Sequence, residues 1–168
     1  MGDPMEVRVA DGAEVRHLAQ IWFDGWKDAH LQIVPAELAR LRTLESLAGR
    51  MQAAISHVRV AGPRGAPVGF HMLKGDELYQ LYVAAGSRGT GTAAALIADA
   101  EACLRAGGVQ AAWLGCAIGN DRAARFYEKN GWHRAGTMVE QLETSSGEFP
   151  LEVWRYEKRL GSGPVDRS

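Results

Sequence analysis

The chain has 168 residues, 46% of them hydrophobic, and a formal net charge of −1, which suits one globular domain with a sizeable core. Acidic and basic residues are spread along the chain, so the charge argues against a dedicated nucleic-acid-binding protein. The two cysteines, Cys103 and Cys116, have no zinc-site spacing and favour a reducing compartment over a disulfide scaffold. No segment approaches the ~20 apolar residues of a membrane span, and the first residues do not resemble a signal peptide. We therefore expect a cytoplasmic protein with no membrane or metal partner.

Hydrophobic periodicity and turn residues predict the order β-α-α-β-β-β-α-β-α-β-β. One domain is expected over residues 1–160, followed by a disordered tail at 161–168. In chain order the elements are a strand at 7–9, helices at 13–26 and 44–55, strands at 58–61, 68–74 and 77–83, a helix at 92–106, a strand at 111–117, a helix at 121–129, and strands at 132–142 and 149–158.

The strand-helix-strand unit around the glycine-rich segment 84–91 requires a parallel strand pair, whereas the hairpins on either side are antiparallel. The predicted fold is therefore α/β, with a mixed central sheet of about six to seven strands and helices on both faces.

The glycine-rich segment admits three interpretations. It lacks the Gly-Lys-Ser/Thr end of a Walker A loop. Residues 89–94 match the dinucleotide pattern GxGxxA, but no acidic residue stands on the next strand and three strands precede the loop. An ordinary strand-to-helix turn remains possible, and so does a loop that binds phosphate through backbone N–H groups.

Two motifs decide in favour of phosphate binding. The stretch from Arg88 to Ala93 fits (Gln/Arg)-x-x-Gly-x-(Gly/Ala) and resembles the acyl-CoA-binding loop of the GNAT acetyltransferase superfamily. The stretch from Asn120 through Tyr127 to Trp132 resembles the second signature of that superfamily. The resemblance covers residues 7–160 and implies a GNAT-like (acyl-CoA N-acyltransferase) fold with acetyl-CoA as cosubstrate. It assigns the coenzyme A pyrophosphate to a run of six residues: Arg88, Gly89, Thr90, Gly91, Thr92 and Ala93.

The resemblance also implies roles for residues outside the loop. The strand before the loop separates from the next strand, and the backbone of Tyr82 and Val83 pairs with pantetheine in the gap. Asn120 caps the following helix and contacts the pantetheine arm. Tyr127 is the general acid that protonates the departing thiolate.

The general base is less determined. Glu77, at the start of the strand before the loop, is the first candidate, and His71 and His30 remain open. Trp22, Trp26 and His30 recur at helical spacing and line the acceptor site, although the same spacing is typical of a core stripe.

These assignments predict an N-acetyltransferase that uses direct attack in a ternary complex on a primary amine of a small molecule or a protein. An acyl-CoA-binding regulatory domain and a small NAD-dependent oxidoreductase are the alternatives. A homodimer that forms through the last strands, at Leu151, Val153 and Trp154, is also possible.

Overall fold

The computed structural model describes residues 6–161, and the predicted tail lies outside this range except for Gly161. The strands are β1 (Val7–Val9), β2 (Val58–Ala61), β3 (Gly69–Lys74), β4 (Glu77–Val83), β5 (Ala111–Ala117), β6 (His133–Thr144) and β7 (Gly147–Arg159). The α-helices are α1 (Val15–His30), α2 (Ala36–Leu41), α3 (Leu44–Ala54), α4 (Thr92–Ala106) and α5 (Asp121–Lys129). No helix within the described range is long and apolar enough to cross a bilayer.

The strands form one mixed sheet in the order β1-β2-β3-β4-β5-β7-β6. Among the described strands, only β4 and β5 run parallel. This topology confirms the mixed α/β sheet. It does not fit the doubly wound parallel sheet that a dinucleotide-binding interpretation of the loop requires.

Two apolar clusters hold helices against opposite faces of the sheet. Leu18 and Trp22 of α1 pack with Met51 of α3 and Phe70 of β3 on one face. The other cluster contains Ile97 of α4, Ala124 of α5, Leu114 of β5 and Trp132. Helices on both faces therefore follow from apolar residues that the sheet presents in alternation.

The first helix is one turn longer than the sequence indicated, because α1 continues from Trp26 to His30. Proline restricts mainly the residue before it, so Pro35 acts on Val34 and leaves the turn at His30 intact. The backbone N–H groups of Ile33 and Val34 both donate to His30 O. The chain then enters the short helix α2, which the sequence analysis did not predict.

The parallel strands β4 and β5 are paired over only a short length. Glu77 and Trp113 are the single pair of opposed residues between β4 and β5, whereas all seven residues of β5 pair with β7. A bulge in β4 also lies here, since Met72 opposes Gln80 while Leu73 opposes Leu78, which leaves Tyr79 without a partner across the strand. The two strands diverge toward their carboxyl ends and leave a gap.

The proposed dimer contact needs correction. β7 lies between β5 and β6, so both of its edges are paired within the chain. Val153 is buried, and Leu151 packs against the cluster beneath α1 and α3. Trp154 is covered by the Arg134 guanidinium, 3.8 Å from the ring centroid. These side chains serve the fold of one chain, and the free edge beside them belongs to β6.

Candidate active site

A cavity of about 590 Å³ extends from the glycine-rich loop, through the gap between β4 and β5, to the space under α1 and α3. Most of the predicted site residues line it, which brings both sequence motifs to one place. Thr90, Thr92 and Glu77 do not line it. Those that do are Trp22, Trp26, His30, Tyr82, Val83, Arg88, Gly89, Gly91, Ala93, Asn120 and Tyr127.

The loop presents unpaired backbone donors. Gly89 and Gly91 have φ angles of 78° and 86°, a left-handed conformation that glycine adopts without strain. Helix α4 begins at Thr92, and its first internal bond runs from Ala95 N to Gly91 O. Within residues 6–161, the N–H groups of residues 89–94 donate no hydrogen bond. They converge with the positive end of the helix dipole, which is the usual arrangement for binding phosphate.

Two arginines stand at the mouth of this loop. Arg88 contacts Asp28 of α1 at 3.0 Å, and Arg122 of α5 contacts the same carboxylate at 3.2 Å. Hydrogen bonds from Arg122 and Arg88 lower the pKa of Asp28. The sequence analysis identified Arg88 but not Arg122, although Arg122 lies within the second motif. An incoming pyrophosphate would compete with Asp28 for both guanidinium groups.

The backbone N–H and C=O groups of successive β4 residues face β3 and the gap in turn. Ala84 N donates to Val68 O, and Tyr82 O lies beside Gly69, so Tyr82 turns its backbone groups toward β3. Successive residues of a strand point their N–H and C=O groups to opposite edges. Val83 and Leu81 therefore face the gap. Of the two predicted pantetheine partners, Val83 fits, and Tyr82 contributes its side chain to the cavity instead.

Tyr127 lies at the wall of the gap on α5. Its ring packs edge-on against Phe126 and Trp132, with centroids 5.5 Å and 6.3 Å away. Its hydroxyl makes no hydrogen bond within the described part of the chain, and burial raises the pKa of the phenol further. Tyr127 therefore enters any reaction protonated. Asn120 accepts a hydrogen bond from Ala123 N at 3.4 Å, as a helix cap does.

A pair of carboxyl groups stands beside the gap. Glu77 is 7% exposed; burial, followed by the neighbouring carboxyl group of Glu140 on β6, raises the pKa of Glu77 to about 9. Glu140 reaches across β7 and rests on Gly115 of β5, where a Cβ atom would overlap its Oε1. Glu140 lines the cavity and Glu77 lies behind it, and the raised pKa keeps the Glu77 carboxyl protonated at neutral pH.

Glu140 was missed because no local pattern marks it. It is 63 positions from Glu77 (140 − 77), on a strand that alternates polar and apolar residues without a motif. The only trace is Gly115 inside a strand, a position where glycine often allows a close approach.

The two candidate histidines have different surroundings. His71 points to the opposite face of the sheet, where its Nε2 meets Asp99 Oδ2 at 2.8 Å, so it does not face the cavity. His30 Nδ1–H donates to Trp26 O at 3.0 Å, and its ring stacks on Trp26 with centroids 5.4 Å apart. Burial lowers the pKa of His30. It is a neutral imidazole that lines the cavity.

Trp22 and Trp26 belong to the apolar core and also line the cavity, so both roles that their helical spacing allowed are present. They are 1% and 7% exposed and belong to the core cluster under α1. They also line the cavity, and Arg50 of α3 stacks over the Trp22 ring at 4.8 Å. The end of the cavity away from the glycine-rich loop is thus an apolar wall with polar groups at its rim.

A sheet that opens between its parallel strands, directly beside a helix start with free N–H groups, fits the expectation that the two sequence motifs raised. Residues 16–132 match the model of the Acetyltransferase (GNAT) family. The chain belongs to this family, and its class is that of an acetyltransferase.

Similar proteins agree with this assignment. An uncharacterized N-acetyltransferase of Mycobacterium tuberculosis is 38% identical over 114 residues, which is 65% of this chain and 70% of the relative. The PaiA N-acetyltransferase of Thermoplasma acidophilum, solved with coenzyme A, superposes with a TM-score of 0.69 at 18% identity, over 94% of this chain and 99% of the other. A phosphinothricin acetyltransferase of Sinorhizobium meliloti, solved with acetyl-CoA, also gives 0.69 at 18% identity, over 97% and 92%.

Proposed function

We propose that this chain is an N-acetyltransferase that moves an acetyl group from acetyl-CoA to a primary amine by direct attack in a ternary complex. One observation carries the proposal: a single cavity connects the free N–H groups of the loop with Tyr127 and with Glu140, behind which Glu77 lies. The acceptor is a small molecule or a protein amine. Unpaired Cys103 and Cys116 suit a reducing, cytoplasmic setting.

The donor half of the cavity binds by backbone groups. The free N–H groups of residues 89–94, with Arg88 and Arg122, hold the pyrophosphate. The pantetheine arm lies in the gap, where Leu81 and Val83 present strand-type donors and acceptors and Asn120 offers its amide. A Val83 or Leu81 N–H aimed at the thioester carbonyl would stabilise the negative charge that develops on its oxygen.

The carboxyl pair and the tyrosine handle protons in opposite directions. An acceptor ammonium, with a pKa near ~10, loses one proton to the pair formed by Glu140 and Glu77. The freed nitrogen forms a bond with the acetyl carbon, and the bond from that carbon to sulfur breaks. The Tyr127 phenol gives its proton to the sulfur and is restored by the second proton of the nitrogen. The pair releases the first proton to solvent.

The test is thiol release from acetyl-CoA across a panel of primary amines, with and without enzyme. We expect at least one amine to accelerate release, and we expect Tyr127→Phe to lower kcat while the Kd for acetyl-CoA stays constant. Thermal shift with acetyl-CoA, coenzyme A and NAD(H) gives an independent readout. Stabilisation by NAD(H) but not by coenzyme A would refute the proposal. Stabilisation by coenzyme A without turnover of any amine would favour a regulatory acyl-CoA-binding domain.

A further inference from the structure

Arg42 is a buried cation without an anionic partner. It follows α2, is 6% exposed and lines the cavity. Its Nη1 donates to the backbone oxygen of Glu143 at 2.6 Å, and it forms no ion pair with any residue in the range 6–161. Burial, followed by the charge of Arg50, lowers the pKa of Arg42 to about 10. At neutral pH the guanidinium remains charged, and the charge of Glu143, which forms no ion pair with it, offsets its burial only in part.

Arg50 adds a second positive charge to the same wall. Its guanidinium lies over the Trp22 ring and donates to the Tyr79 hydroxyl. Within the described part of the chain it too meets no carboxylate at ion-pair distance. Stacking and a phenol hold the planar group in place but leave its charge available to a ligand.

Other half-buried arginines of this fold are paired. Arg8 meets Glu14 at 2.8 Å, and Arg59 meets Asp99 at 2.7 Å. A buried charge is expensive unless an opposite charge or strong hydrogen bonds compensate for it. Two neighbouring guanidinium groups that line one cavity and have no ion-pair partner among the described residues are therefore the pattern of a binding site for an anionic group.

The anionic groups near this wall do not fill that role. Glu140 lines the cavity but is engaged with Glu77. Glu143 is exposed and touches Arg42 through its backbone oxygen rather than its carboxylate. Along β6, Glu143 is three residue steps beyond Glu140, or about 10 Å at ~3.4 Å per residue. The end of the cavity away from the glycine-rich loop thus has Glu140 on one side and the two guanidinium groups of Arg42 and Arg50 on the other.

We propose that the acceptor is a small primary amine that also bears a carboxylate, with the carboxylate bound by Arg42 and Arg50 and the amine held at Glu140 beside the gap. This inference rests on the proposed function, because it assigns the substrate class of the same cavity. The Arg fork fits a planar carboxylate with two parallel hydrogen bonds. A cationic or neutral amine of the same length would leave both arginines uncompensated.

The test compares matched amines that differ only in the anionic group. Glycine, β-alanine and γ-aminobutyrate are each paired with the corresponding carboxamide. Turnover is followed by thiol release, and binding to the complex with coenzyme A is followed by thermal shift and calorimetry. We expect a carboxylate to exceed its amide by at least about tenfold in kcat/KM and in affinity, the size of one charged hydrogen-bond pair.

Variants of Arg42 and Arg50 test whether these two residues cause the preference for a carboxylate. Arg50→Gln should remove most of the preference for the carboxylate, and Arg42→Met, which keeps an unbranched chain but removes the guanidinium, should do the same. Arg64→Gln is the matched control, since the Arg64 side chain is 74% exposed and does not line the cavity. An unchanged thermal shift with coenzyme A shows that each variant is folded.

The possible results separate the two proposals. Equal use and equal binding of carboxylates and amides would refute the anionic acceptor and leave the acetyltransferase intact. Preferential binding of carboxylates without thiol release would support the anionic site and contradict the catalytic proposal. A carboxylate preference that persists in both arginine variants would refute the assignment of Arg42 and Arg50.

Discussion

Replacing Glu77 by glutamine should make the protein less sensitive to alkaline pH. In the unfolded chain the carboxyl has its ordinary pKa of 4.5, whereas burial and Glu140 raise the folded value to about 9. Between these values the unfolded state has lost a proton that the folded state keeps, so the free energy of unfolding falls as pH rises. The stabilising contribution is fully present below about pH 4.5 and is lost as pH approaches 9.

The magnitude follows from the width of the window. One pH unit corresponds to about 1.4 kcal/mol for one proton. Over the three units from pH 5 to pH 8, Glu77 should therefore lower the free energy of unfolding of the wild type by about 4 kcal/mol. Glu77→Gln keeps the shape of the side chain but has no carboxyl proton to lose. The fall in unfolding free energy over this range should therefore be about 4 kcal/mol smaller in the variant.

Urea denaturation at pH 5, 6.5 and 8 measures this difference directly. Glu152→Gln is the control, because Glu152 is an exposed carboxylate on neighbouring β7. The free energy of unfolding of Glu152→Gln should change with pH as that of the wild type does. Parallel curves for the wild type and Glu77→Gln would show that Glu77 is ionised in the folded protein, and the raised pKa of Glu77 would have to be abandoned.

Three further substitutions test the donor half and the chemistry. Tyr127→Phe should lower kcat by roughly 10²-fold or more, as expected for a lost general acid, while calorimetry shows an unchanged Kd for acetyl-CoA. Gly91→Ala places a Cβ atom at a φ of 86°, so the free energy of unfolding measured by urea denaturation should fall by roughly 1–2 kcal/mol. The control is Gly49→Ala in α3, where an added Cβ meets no atom, and there the free energy of unfolding should rise by about 0.5–1 kcal/mol. Asp28→Asn should tighten acetyl-CoA binding a few-fold at low salt, an effect that disappears as salt rises because the charges are exposed; a salt-independent change would contradict competition for Arg88.

The donor half of the cavity could be predicted from sequence because it is local. Gly89 and Gly91 must be glycine for a loop that turns its N–H groups outward, and the helix begins within a few residues. Asn120 caps the short helix that carries Tyr127, so their spacing in the sequence fixes their relative position. The order of strands then brings the two motifs to adjacent elements, and the family resemblance supplied the role of each.

The acceptor half could not be predicted in the same way, because it is assembled from distant segments. Arg42 follows a short helix that gave no clear periodic signal, and Glu140 reaches its place across an intervening strand. The bulge that leaves Tyr79 unpaired in β4 is a property of two strands together. Such contacts depend on tertiary register, which hydrophobic periodicity within one segment does not specify.

The same cavity contains the main electrostatic costs of the fold. The raised pKa of Glu77 and the buried charge of Arg42 each oppose folding at neutral pH, and the apolar clusters on both faces of the sheet offset them. A ligand that supplies a carboxylate to the arginines would remove part of this cost in addition to its own contacts. Stabilisation by a carboxylate-bearing amine should therefore add to that of coenzyme A, because the two ligands relieve different ends of one cavity.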